Sequence, residues 1–309
     1  MTTLLLTHPA ALMHLTPLGH PERPDRLRAI DRALEGEEFS TLARDAAPEA
    51  DVEAISLVHP VEYVQRLRES VPEEGFARID ADTAMSSKSW EPIMRAAGGA
   101  IRAVDEVVQG TASNAFVAMR PPGHHAETVT PMGFCFVNNA AIAARHAQRR
   151  RGVGRVAIVD FDVHHGNGSQ EIFWSDPSVM YCSTHEMPLY PGTGARSEVG
   201  EHGNIVNAPL RAGDGGPQFR EAMASTILPR LEDFQPDLIV VSAGFDAHTR
   251  DPLANLNLLE ADYAWITQRL MEIADRYAGG RVVSVLEGGY DLEGLAGSAA
   301  AHVRALMRG

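Results

Sequence analysis

Long uninterrupted apolar runs are missing from this chain of 309 residues, and no segment approaches the ~20 apolar residues that a membrane-spanning helix needs. Cysteine occurs twice, at Cys135 and Cys182. That excludes a disulfide framework and fits a reducing compartment. Lysine occurs once, at Lys88, and the other basic side chains are arginine. This reads as a compositional bias and carries no functional weight. Basic charge is in deficit: 27 Lys and Arg stand against 41 Asp and Glu, a formal net charge of −14. A phosphate backbone is bound by the opposite balance, so no nucleic-acid partner is expected. The acidity serves solubility first and suits a cationic substrate second. Met1 to Leu6 have neither the basic start nor the long apolar core of a secretory signal. A cytoplasmic location without a membrane partner is therefore expected.

What is present is an ordinary globular composition, 44% hydrophobic and 22% charged. No repeat, low-complexity tract or Pro/Ser-rich linker divides it, so one compact domain over residues 1–309 is expected. Apolar, β-branched runs predict strands at residues 4–7, 114–119, 156–160, 179–183, 205–208, 238–242 and 282–286, with a weaker one near 42–46. Amphipathic stretches predict helices at 25–35, 60–69, 89–109, 138–148, 217–234, 260–278 and 292–307. Alternation of the two, with near-continuously apolar strands, predicts an α/β fold. It should be a three-layer α/β/α arrangement around a mostly parallel sheet of about eight strands.

The loops after these strands are long and rich in Gly, His and Asp, and such loops carry function more often than fold information. The run ending Asp160-Phe161-Asp162-Val163-His164-His165-Gly166-Asn167-Gly168 enters a polar loop, and the run 238–242 leads to Asp246. Parallel strands open their carboxyl ends on one rim, so Asp162, His164 and Asp246 should meet there. Two carboxylates and one imidazole leave a fourth position open, the pattern of a catalytic rather than a structural zinc. Arg120-Pro121-Pro122-Gly123-His124-His125 places two adjacent imidazoles on a stiff loop. A lone histidine is usually structural, but two in succession must each find a partner, and Asp160 and Asn167 can supply them. A carboxylate behind one ring keeps it protonated, whereas an amide behind the other leaves it free to act as a base. Gly288-Gly289-Tyr290 brings a phenol to the same rim as a candidate donor to an oxyanion, although a tyrosine there can also be structural. Phe134 and Tyr190 are aromatics in loops where no helix face needs them, and together they can wall a narrow channel.

At these residues the chain resembles the zinc-dependent histone deacetylase superfamily, relatives of which are acetylpolyamine amidohydrolases and acetoin-utilisation proteins. The matching motifs are RPPGHHA (120–126), GFCFVNN (133–139), DFDVHHGNG (160–168), YPGTG (190–194), AGFDAH (243–248) and LEGGY (286–290), preceded by HPERPDRL (20–27). They stand in the family's order across nearly the whole chain, and Asn167 and Glu287 look like the class II branch. The resemblance implies an arginase/deacetylase-like fold and hydrolysis of an acyl-lysine or another small N-acyl amine. It implies one zinc on Asp162, His164 and Asp246, with iron(II) as an alternative in the cell. It implies a dyad of His124 and His125 backed by Asp160 and Asn167, and Tyr290 acting on the transition state. It further implies a structural potassium on Asp160, the main chain of Asp162 and His164, Ser183 and Thr184. Phe134 and Tyr190 match the channel walls, and the Gly133 carbonyl matches an acceptor for the substrate amide. Arg23 matches a basic residue of an internal acetate pocket. An aspartate, Asp80 or Asp82, is expected to grip substrate at the rim, and the spacing does not choose between them.

Leu253 lies where polyamine-specific relatives resemble one another in carrying a glutamate, so acetyl-lysine is expected ahead of an acetylated polyamine. A binuclear arginase-like hydrolase is the nearest different chemistry. It would need more carboxylates, and Gly166 and His248 stand where its extra aspartates belong. A silent acyl-amine binder would not need ligands, dyad and tyrosine together. No long insertion advertises an interface, and the oligomeric state stays open.

Overall fold

Valine, isoleucine and leucine dominate the central strands because both faces of the sheet are covered, so every position in β6, β9 and β10 is buried. The computed structural model describes residues 2–308. Its strands are β1 (Thr3–Thr7), β2 (Ala43–Ala46), β3 (Phe76–Arg78), β4 (Ala84–Ser86), β5 (Asn114–Val117), β6 (Val156–Asp160), β7 (Val179–Glu186), β8 (Ile205–Leu210), β9 (Leu238–Ala243) and β10 (Val282–Leu286). The α-helices are α1 (Asp25–Ala33), α2 (Val52–Ile55), α3 (Val61–Glu69), α4 (Trp90–Gln109), α5 (Asn139–Arg151), α6 (Asn167–Ile172), α7 (Gly216–Ala222), α8 (Leu228–Phe234), α9 (Glu260–Ile273) and α10 (Leu292–Arg308).

Eight strands form one sheet in the order β2-β1-β5-β10-β9-β6-β7-β8, and every neighbouring pair is parallel. The expected mostly parallel sheet is thus wholly parallel. The strands β5, β10, β9 and β6 are consecutive in it, and the loops leaving their carboxyl ends carry the His-His, Gly-Gly-Tyr and Asp/His motifs. Parallel pairing alone therefore gathers these motifs on one rim. Helix α4 packs on β1, β5 and β10, α5 on β6 and β9, while α10 packs on β5, α1 and α9.

Several features depart from the sequence expectation, among them an unexpected short helix α2 and a π-type turn at Ala274–Ala278 that ends the helix expected at 260–278. An antiparallel hairpin of β3 and β4 stands apart from the sheet. Its strands are three residues long and partly exposed, too short for a period-two signal. Helix α6 begins inside the glycine-punctuated loop that follows β6. The single helix expected at 217–234 is broken by a wide π-type turn at Met223–Ile227. Pro229 has no N–H to give the carbonyl of Ser225 and its ring crowds that carbonyl, so the turn opens there. Among the described residues, no helix is long and apolar enough to cross a membrane.

Candidate active site

Asp162, His164 and Asp246 converge as their strands predict, with one ligand atom from each lying within 4.8 Å of the others. His164 Nδ1 is 3.3 Å from Asp162 Oδ1 and 3.2 Å from Asp246 Oδ2. Bonds of ~2.0–2.2 Å to a tetrahedral zinc require ligand-to-ligand edges of roughly 3.3 Å, so these separations fit the ion. The remaining carboxylate valences are held by the main chain. Asp162 accepts from the amides of His164 at 2.9 Å and Gly288 at 2.8 Å, and Asp246 from Val163 at 2.8 Å. Gly288 has to be glycine, because a Cβ there would lie 2.1 Å from Asp246 Oδ2. Burial and the neighbouring Asp162 carboxylate push Asp246 up to about 7. Burial opposes ionisation of Asp162 as well, but the cationic His124 and the hydrogen bond from His164 hold it far below the usual range. Two crowded, buried carboxylates of this kind are what a divalent cation neutralises.

The triad is the one such cluster among the described residues. Gly166 offers no side chain, and His248 turns towards Glu260, 3.5 Å away. Among the described residues the binuclear alternative therefore has no second ligand set.

The two imidazoles have different backing. His124 Nδ1 is 2.9 Å from Asp160 Oδ2, and its Nε2 lies 3.8 Å from Asp162 Oδ1. Burial works against charge on this ring, but the Asp160 and Asp162 carboxylates outweigh it and hold His124 well above the ordinary histidine value. His125 Nδ1 is 2.8 Å from Asn167 Oδ1. Burial and then the cationic His124 hold His125 well below the ordinary value, so it stays neutral. Adjacent histidines thus differ in charge because one faces a carboxylate and the other an amide.

A cavity of about 240 Å³ opens above the triad, lined by Asp82, His125, Gly133, Phe134, His164, Leu189, Tyr190, Leu253 and Tyr290. The predicted wall residues Phe134 and Tyr190, with Leu253, are all on it. Tyr190 meets His125 edge to face at 5.1 Å between centroids, and Phe134 meets Tyr290 at 5.9 Å. Burial raises the Tyr290 hydroxyl well above its ordinary value, so it is protonated and can donate. Gly133 adopts φ +56°, and a Cβ there would fall 2.4 Å from His125 Cδ2, so only glycine leaves the imidazole in place. The two rim aspartates have different surroundings. Asp80 caps its own turn, accepting from the amides of Asp82 at 2.9 Å and Thr83 at 2.6 Å, while Asp82 lines the cavity. For the expected potassium set, the pairing of β6 with β7 puts Ser183 directly beside Asp160, and Thr184 follows it in β7. Asp160 already accepts from the Asp162 amide at 3.1 Å and the Tyr181 hydroxyl at 3.0 Å.

Arg23 is a correction. It is exposed and pairs loosely with Asp25 at 3.7 Å, on the outside of the chain. The buried basic residue is Arg26, whose Nε donates to the Gly289 carbonyl at 2.6 Å and whose Nη2 donates to the Glu287 carbonyl at 2.5 Å. Arg23 precedes α1, whereas Arg26 lies one turn before Ile30 on the helix's buried face, together with Leu27. That periodicity was the signal that separates them. Sequence reasoning also gave no role to Glu287. Its carboxylate accepts from the amides of Gly123 at 2.6 Å and His124 at 3.1 Å, bolting the His-His loop to β10. Burial lifts Glu287 to about 7.

The chain as a whole is similar to known proteins. A family model described as the histone deacetylase domain matches residues 20–306. Histone deacetylase 14, chloroplastic, of Arabidopsis thaliana is 40% identical over 324 residues, covering 98% of this chain and 76% of that protein. The histone deacetylase-like amidohydrolase of Pseudomonas aeruginosa is 39% identical over 277 residues, 88% of this chain and 73% of that one. A crystal structure of the HDA15 HD domain superposes with a TM-score of 0.94 at 36% identity, covering 99% of this chain and 88% of that one. With likeness of sequence and fold running over nearly all its length, this chain belongs to the histone deacetylase family of amide-bond hydrolases.

Proposed function

We propose that this hydrolase removes acetyl or other short acyl groups from N-acetyl-lysine or a related N-acyl amine, with one zinc on Asp162, His164 and Asp246. The observation that carries the reading is that His164, His125 and Tyr290 line one narrow cavity together with Phe134 and Tyr190. A zinc ion held there supplies a Lewis acid for the amide carbonyl and lowers the pKa of a water towards ~7. The same donors also accept iron(II), so iron in the cell is compatible with the reading.

The chain's own residues do the rest. His125 is neutral and its Nδ1 is committed to Asn167, so Nε2 takes the proton of the attacking water and later returns it to the leaving amine. His124, held cationic by Asp160 and Asp162, stabilises the negative charge that grows beside it. Tyr290 donates its hydroxyl to the carbonyl oxygen as that oxygen becomes an anion. Phe134 and Tyr190 flank the aliphatic chain of the substrate, the Gly133 carbonyl accepts its amide proton, and Asp82 and Leu253 meet what lies beyond the mouth. The proximity of Ser183 to Asp160 supports a structural potassium on Asp160, Ser183, Thr184 and the main chain of Asp162 and His164. Residues 1–309 act in this reading as a single catalytic domain. Both cysteines are buried free thiols, which supports its placement in the cytoplasm. Acetate and a free amine are the products.

Purified protein should release acetate from an acetyl-lysine peptide, stop after treatment with a chelator and recover on addition of zinc. Metal analysis should find about one zinc per chain, as an open catalytic site holds. Two tightly bound transition metals per chain, or hydrolysis that survives metal removal, would overturn the reading.

A further inference from the structure

We propose that Glu127 is a positioning residue: it fixes the orientation of the Asn167 amide and, through it, the tautomer of His125. The proposal rests on the reading of His125 as the proton acceptor.

Asn167 lies between the two side chains. Its Oδ1 faces His125 Nδ1 at 2.8 Å, and its Nδ2 donates to Glu127 Oε1 at 2.9 Å. Nδ2 also points at the Met132 thioether, 3.3 Å away. An ionised carboxylate can only accept, and a thioether is a weak acceptor with no proton to give. Both neighbours therefore demand the NH2 end of the amide on their side. The oxygen must then face His125, whose Nδ1 must carry the proton. Nε2 is left with a lone pair, which is the form a base needs. A flipped amide would set its oxygen against the Glu127 carboxylate and present NH2 to Nδ1. That would move the ring proton to Nε2 and leave no acceptor at the cavity.

The surroundings build this contact deliberately close. Glu127 follows Ala126, and the backbone there is pressed onto Gly168 at the start of α6, where a Cβ would lie 2.2 Å from the Ala126 carbonyl oxygen. The Glu127 amide is tied to the Thr130 carbonyl at 3.0 Å, which holds the turn. Among the described residues Glu127 forms no ion pair, and its carboxylate has one side-chain partner, Asn167. The contrast with His124 gives the arrangement its meaning. His124 touches the Asp160 carboxylate directly, at 2.9 Å. His125 is one amide further from its carboxylate. The amide passes on the direction of the hydrogen bond while keeping the negative charge at a distance, so the tautomer of the ring is fixed.

The test uses a substitution that removes the need for a lock. N167D gives position 167 two acceptor oxygens, so either rotamer presents an acceptor to His125 Nδ1. On acetyl-lysine peptide, E127A should lower kcat about tenfold or more with KM changed less than about twofold, within the ~10²–10⁴ that a positioned base supplies. On the N167D background the same change should cost less than about twofold, or even raise kcat by removing a like charge beside the new carboxylate. E127Q keeps an acceptor oxygen and should lie closer to wild type than E127A. Should E127A not fold, E127L takes its place in the same comparison. Equal costs of E127A on both backgrounds, or an unchanged kcat for E127A in the wild-type chain, would overturn the proposal and make Glu127 a structural residue. H125A is measured alongside: if it keeps substantial turnover, the base reading itself falls, whatever Glu127 does.

Discussion

The guanidinium of Arg26 lies over the ring of Tyr290, 4.9 Å from its centroid, and the same group holds the carbonyls of Glu287 and Gly289 on either side of that turn. Behind it stands Glu22, fully buried, which accepts from Arg26 Nη1 at 3.2 Å and from both Nε and Nη2 of Arg120. Arg120 reaches on to the carbonyls of Ala11 and His14. Burial resists the Glu22 charge, yet Arg120 and the hydrogen bond from His14 hold its carboxyl well below the ordinary value. One buried cluster thus ties the N-terminal segment, the His-His loop and the Gly-Gly-Tyr turn together.

Arg26→Ala should be severe and Arg23→Ala mild. Removing one partner of a buried charge cluster typically costs about 3–5 kcal/mol. R26A should therefore lower the unfolding midpoint and also turnover, since the Tyr290 turn loses both its clamp and its ring contact. R26K should recover only part of this, because a single ammonium cannot serve two carbonyls and Glu22 as a planar fork does. Thermal unfolding and steady-state kinetics of the three variants decide it. Equal effects at positions 23 and 26 would undo the assignment.

Tyr290→Phe should leave zinc content and folding intact while cutting kcat on acetyl-lysine by about 10²–10³, the usual cost of one oxyanion donor. The hydroxyl acts on charge that develops mainly in the transition state, so KM should change much less than kcat. Near wild-type turnover would make the tyrosine a structural member of its turn.

The paired histidines should not be equivalent. H125A removes the neutral ring that faces the cavity and should nearly abolish turnover. H124A removes a cation held by Asp160 and should retain more. Residual rates in the reverse order, or equal ones, would exchange or dissolve the two roles.

Sequence carried the sheet well because its strands are buried on both faces, and such strands are written as unbroken apolar runs. Their parallel order then made the meeting of Asp162, His164 and Asp246 a geometric consequence. It carried the hairpin of β3 and β4 poorly, since three-residue, half-exposed strands leave no period to read. Motif order could not show that Arg23 is exposed and Arg26 buried, because a motif gives residue types in sequence, whereas burial depends on the phase of the helix that begins between them. Asp80 and Asp82 were inseparable for a related reason. Only the folded turn shows that Asp80 spends its carboxylate on two backbone amides while Asp82 faces the cavity.

The mouth of the cavity predicts substrate preference. Leu253 lines the cavity, and its amide is held by Asp251, which also accepts from the Tyr290 amide at 2.7 Å, so the Leu253 loop and the Tyr290 turn are fastened as one unit. Asp82 is the single acid among the residues that line the cavity, beside the apolar or aromatic Phe134, Leu189, Tyr190 and Leu253. A polyamine carries a distant ammonium, and a leucine offers it only apolar contact, whereas a desolvated carboxylate would contribute a few kcal/mol of discrimination. Peptide-like or aromatic-capped acetyl-lysine should therefore be hydrolysed with higher kcat/KM than acetylspermidine or acetylputrescine. Leu253→Glu should move the ratio towards the polyamines, and Asp82→Asn should move it further from them. A wild-type preference for acetylpolyamines of tenfold or more, equal to about 1.4 kcal/mol, would mean that Asp82 alone supplies the charge that Leu253 withholds.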